Sequence, residues 1–127
     1  MHHYRNIYFQ RINYNCRIKL HRIMPITTQE DQHISLNDAA AMTIKFRQSN
    51  PVGSVIAHLF TKEIIMEILN QANCEGIRIY HGIDAANTPV LVVTGVDGNK
   101  DDLYQGTLAE HAEKCPMFCS GPNPLNS

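Results

Sequence analysis

Two neighbouring stretches decide the fold: Gly76-Ile77-Arg78-Ile79-Tyr80-His81-Gly82-Ile83 and Pro89-Val90-Leu91-Val92-Val93-Thr94-Gly95-Val96. From Ile77 the first alternates. Its odd positions are apolar apart from His81, and its even positions are Arg, Tyr and Gly, the period of a half-buried strand. The second is nearly all apolar and β-branched, as a central strand covered on both faces requires. Pro89 fits only at its start, because proline cannot donate to a ladder. Asp84-Ala85-Ala86-Asn87-Thr88 supplies turn residues between the two. Asp97-Gly98-Asn99 is a hairpin signal after the second, so Asp102–Leu108 is expected to return as a third strand. The expected sheet is a small antiparallel meander of about three strands.

Upstream, the period changes to that of a helix. Ser35-Leu36-Asn37-Asp38 reads as a helix start, with Ser35 as N-cap and Asp38 placed where the helix dipole favours an acid. Ala39 to Met42 have high helix propensity. Asn50 stands before Pro51 and is pushed out of the helical region, so this helix should stop near Ser49. A second helix is expected after Thr61. Ile64, Ile65, Ile68, Leu69 and Ala72 form its apolar face, and Gly76 is its expected stop. Between the helices, Val55–Phe60 is a short apolar run that fits a strand or a helical turn. The expected fold class is α+β, with two N-terminal helices packed on the meander and an extended Pro-rich C-terminal tail. Residues 35–127 make a single domain in this reading.

The chain has 127 residues and a formal charge of −1, unevenly spread. Residues 1–23 hold Arg5, Arg11, Arg17, Lys19 and Arg22 and no acid, while the remainder holds six bases and all 12 acids and is −6. The segment 1–34, basic and then polar, reads as disordered or as an overlong start ahead of Met24. A nucleic-acid arm is the rival, since its cations interleave with Tyr4, Tyr8, Phe9 and Tyr14. It lacks the apolar run of a secretory signal and the serines of a transit peptide. No apolar run approaches the ~20 residues of a membrane helix.

Gly76–Asp84, Leu91–Asp97, Cys115-Pro116-Met117-Phe118-Cys119 and the ending Pro122-Asn123-Pro124-Leu125-Asn126 together resemble a group of short, uncharacterised bacterial proteins of the Bacteroidota type. The resemblance spans about residues 36–127. It implies a small bacterial protein beginning near Met24 or later, and brings no activity, cofactor or catalytic residue with it.

The chemically suggestive corner is His111-Ala112-Glu113-Lys114-Cys115-Pro116-Met117-Phe118-Cys119, an H-x3-C-x3-C spacing. If residues 108–114 were helical, His111 and Cys115 would share a face, and thiolate with imidazole suits zinc. A fourth ligand would come from His81, Cys74 or His58. A disulfide between Cys115 and Cys119 is the next reading, and two packed thiols the third. His81 shares the face of Ile77, Ile79 and Ile83, where a hydrogen-bonded core or rim role competes with that of ligand or base. Arg78 and Tyr80 fall on the opposite face, where they could join a binding surface. Asp97–Asp102 departs from the calcium-loop pattern, and the scattered glycines form no phosphate loop.

These residues offer no catalytic set. The expected function is that of a non-enzymatic, cytoplasmic interaction module that binds a protein partner or a second copy of itself. The alternative is a metal-binding or thiol-redox protein built on His111, Cys115 and Cys119. An acidic body argues against nucleic acid as a partner.

Overall fold

A computed structural model describes Ile26 and residues 31–127. The readings of residues 1–23 and of Met24 as a start lie outside the described residues. The element order is α1 (Leu36–Gln48), β1 (Ala57–Leu59), α2 (Lys62–Leu69), β2 (Gly76–Ile83), β3 (Pro89–Val96), β4 (Leu108–Ala109) and β5 (Glu113–Cys115). Strands β2, β3 and β4 form one antiparallel sheet in that order, and β1 pairs with β5 in a second. The chain is therefore α+β. Among the described residues, no helix is long and apolar enough to cross a membrane.

The caps stand where the sequence places them. The Ser35 hydroxyl oxygen accepts from the Asp38 N–H at 3.0 Å, and Thr61 caps α2 by accepting from the Ile64 N–H. Ser49 ends α1 before Pro51. Gly76 does not stop α2: Asn70 is the C-cap, Asn73 takes the left-handed conformation, and Gly76 opens β2.

The arrangement expected of the helices is corrected in three respects. They sit mid-chain, not at the N-terminus, and they are not consecutive: the run between them is extended and forms β1, which pairs with β5 near the other end of the chain. Only α2 packs on the larger sheet. In α1, Leu36, Met42, Ile44 and Phe46 point to too many sides to make one buried stripe, and no residue of α1 is buried. The C-terminal tail is folded, not extended. The N–H groups of Asn126 and Ser127 both donate to the Asn123 carbonyl at 3.1 Å, closing a turn. The Asn126 side chain donates to the Ser120 carbonyl at 3.1 Å, and Arg47 of α1 donates to the carbonyls of Leu125 and Ser127. Pro122 and Pro124 fix φ in a range that a turn accepts as readily as an extended segment.

The core is small. Ile68 of α2 and Val93 of β3 are fully buried, joined by Ala109 and flanked by Phe60, Ile64, Ile65 and Cys74. Gly95 lets α2 and its following loop come close. A Cβ there would meet Cys74 Sγ at 3.0 Å and Gln71 Nε2 at 3.1 Å. Gln71 ties this loop to β4 by accepting from the Thr107 N–H at 2.8 Å.

The third strand is shorter than its pattern suggests. Asp97 Oδ1 accepts from the N–H groups of Asn99 and Asp101, so the turn closes around the Asp97 carboxylate, with Lys100 in the left-handed region. Asp102 then makes a single bridge to Val96, and Leu103 donates to the Gly95 carbonyl at 2.8 Å. A further turn at Tyr104–Gly106 intervenes before the chain returns as β4. Asp102 is placed by this interruption to accept from both Arg78 and Tyr80, and Arg78 also donates to the Lys100 carbonyl at 3.0 Å. Burial pulls the Arg78 pKa down, but Tyr80 and Asp102 outweigh it and hold the guanidinium more firmly charged than usual. Asp102 likewise raises the Tyr80 hydroxyl above its ordinary value. Asp102→Ala is expected to lower stability by about 1–2 kcal/mol, since the lost Arg78 pair is only partly shielded from solvent. Urea unfolding followed by circular dichroism measures this, and a loss below about 0.3 kcal/mol would show the link to be idle.

Candidate functional site

Two features stand apart from the core: a disulfide beside a cavity, and an apolar sheet edge. The first begins with β5. Residues 108–114 are not helical, so His111 and Cys115 share no helix face. His111 instead takes a positive φ of 21° between β4 and β5 and is fully exposed, with Nδ1 3.1 Å from Glu110 Oε2. Cys115 is held by β1. Its Cα partner is Ala57, and its carbonyl accepts from the Ile56 N–H at 2.8 Å. The chain then reverses, with Met117 and Phe118 both donating to the Lys114 carbonyl at 3.0 Å. This reversal returns Cys119 to Cys115, and the two form a disulfide with Cα atoms 4.8 Å apart.

The two sulfur-bearing residues differ in access. Cys115 is 6 % exposed, whereas Cys119 is exposed. Both line a cavity of about 470 Å³. Its other walls come from the end of α1, the Pro51–Ser54 loop and the folded tail, and include Arg47, Val52, Ile56, Pro116 and Pro122. Arg47 is the only charged side chain on the lining.

The other sequence candidates are dispersed. Cys74 is a free, half-buried thiol that donates to the Gly76 carbonyl at 3.2 Å, and it packs against the core. His58 lies on β1 with Nε2 3.2 Å from the Pro89 carbonyl. His81 is exposed on β2. Among the described residues, no group of three or more His, Cys, Asp or Glu could hold a metal ion. With the disulfide closed, neither sulfur is the thiolate that zinc requires.

The second feature is the outer edge of β2. Among the described residues β2 pairs only with β3, so one of its edges carries no strand. The Gly95 carbonyl accepts from Leu103 on the β4 side, and the Val96 carbonyl accepts from Glu75 on the β2 side. Strand alternation then directs the backbone of Gly76, Arg78, Tyr80 and Gly82 toward β3. The N–H and C=O groups of Ile77, Ile79, His81 and Ile83 point outward. The side chains of these same four residues lie on the face that α2 covers. However, α2 has eight residues and is about 12 Å long, against about 27 Å for an eight-residue strand. It reaches Val93 and covers β2 only in part. Ile77 is 40 % exposed, Ile79 48 % and Ile83 72 %.

The period-two pattern that identifies β2 also marks these isoleucines as a face, but not as one left open. Arg47 and the Pro51–Ser54 loop have no local signal for their place in the cavity, because it is the β1–β5 pairing that brings them to the cysteines. No protein-family model, curated protein or solved structure matches this chain.

Proposed function

We propose that the protein is a non-enzymatic interaction module that pairs with a second copy of itself along β2. The observation that carries this reading is the coincidence, on Ile77, Ile79 and Ile83, of outward backbone groups with exposed apolar side chains. An unpaired apolar edge is a template for another strand.

The edge is also self-complementary. A two-fold axis at Tyr80 would set Ile77 opposite Ile83 and Ile79 opposite His81, with their N–H and C=O groups facing each other. Arg78 would then face Gly82, so no like charges meet. The apolar faces of the two copies would run together, in keeping with the closed symmetry of most homo-oligomers. We place this module in the cytoplasm and within the Bacteroidota-type group it resembles, whose shared motifs coincide with β2, β3 and the Cys115–Cys119 loop.

Size-exclusion chromatography with light scattering on the full chain tests the reading. A species of twice the 14.4 kDa chain mass is expected. A strict monomer at the highest soluble concentration would overturn self-pairing, and capture of a foreign extended segment by that monomer would reassign the edge to a different partner.

A further inference from the structure

We infer that the Cys115–Cys119 corner is a thiol–disulfide exchange site for a small thiol, with Cys119 as the sulfur attacked. Two observations converge on it. The bond joins a buried sulfur residue to an exposed one, so an incoming thiolate meets Cys119 and leaves Cys115 as the departing sulfur. A cavity of about 470 Å³ lies against both, a size suited to a small organic molecule. Arg47, the one charged side chain on its lining, is engaged by the folded tail, donating to the Leu125 and Ser127 oxygens.

The step balances without an external oxidant or reductant. The thiolate RS⁻ attacks Cys119 Sγ. A new bond forms between R–S and Cys119, the Cys115–Cys119 bond breaks, and its electron pair leaves on Cys115, which takes up a proton. Attack by the Cys115 thiolate on the Cys119 mixed disulfide expels RS⁻ and restores the starting bond. Cys115 is well placed for this return, because β1 holds its backbone through Ala57 and Ile56.

Reduced glutathione is the probe. The full-length disulfide form is incubated with it, quenched in acid and mapped by mass spectrometry. The adduct is expected on Cys119, with Cys115 free. Fully reduced wild-type chain supplies a second readout: iodoacetamide should label Cys119 about tenfold faster than Cys115. An adduct on Cys115, adducts divided equally between the two cysteines, or equal labelling of the two cysteines would each overturn the assignment.

Discussion

Replacing Ile68 by Ala is expected to lower stability by about 3–4 kcal/mol, near the middle of the range for a buried large-to-small change. Ile68 and Val93 are the two largest fully buried side chains among the described residues, and they face each other where α2 crosses β3. The cavity left by the substitution would be walled by Val93, Ala109, Phe60 and the neighbouring isoleucines. Phe60 aside, these residues sit on α2, β3 and β4; a backbone ladder joins β3 to β4, and Gln71 links the end of α2 to Thr107, so the site has little room to collapse. A domain of this size typically holds 5–15 kcal/mol in total, so a large share would go with one side chain. Urea unfolding gives the number. Leu36→Ala on the exposed face of α1 serves as control, and should stay within about 0.5 kcal/mol. An Ile68→Ala loss below about 1 kcal/mol would mean that the stability of this chain lies elsewhere.

The two helices illustrate what is legible in such a chain and what is not. Both N-caps, Ser35 and Thr61, follow from short-range hydrogen bonding and stand where the sequence puts them. So do β2 and β3, whose alternating and continuous apolar patterns are local properties of eight residues each. The packing of α1 does not follow. Its apolar side chains satisfy a helical period loosely, and which of them are buried depends on a surface elsewhere in the chain. The third strand fails for a related reason. Asp97-Gly98-Asn99 is a genuine turn, but the left-handed residue is Lys100 and the return is broken again at Tyr104.

The disulfide corner shows the same division. That Cys115 and Cys119 could meet follows from their spacing. That the bond would close beside Arg47 does not, because it requires β5 to pair with β1 across more than fifty residues of intervening chain. The metal reading is conditional on His111 and Cys115 lying one helical turn apart. The two short strands in this region send His111 to solvent and Cys115 inward. A strand of two or three residues carries too little pattern to be told from a loop or a helix end by periodicity, so the sequence leaves that condition open.

Ile79→Lys is expected to weaken self-association by about 100-fold, equivalent to about 2.7 kcal/mol of dimerisation free energy. Each copy would contribute one Ile79, so the two-fold interface loses two isoleucines and gains two cations. The side chain is 48 % exposed in the single chain, so about half of the 1.5–3 kcal/mol of a full isoleucine burial remains to be gained per copy. Two such losses give about 2 kcal/mol, and the desolvation of two ammonium groups adds to it; lysine is the residue with which natural edge strands block pairing. The substitution should leave the fold intact, because Ile79 lies outside the cluster of Ile68, Val93 and Ala109. Sedimentation equilibrium reads the association constant, and urea unfolding of the same variant reads its stability. A dissociation constant within about threefold of wild type would remove β2 from the interface even if the protein were a dimer. Weaker association accompanied by a stability loss above about 1 kcal/mol would point to Ile79 acting through the fold and not through the edge. Arg78→Lys, on the opposite face of the same strand, should change neither the association nor the register, since its side chain turns toward Asp102 and away from the isoleucines.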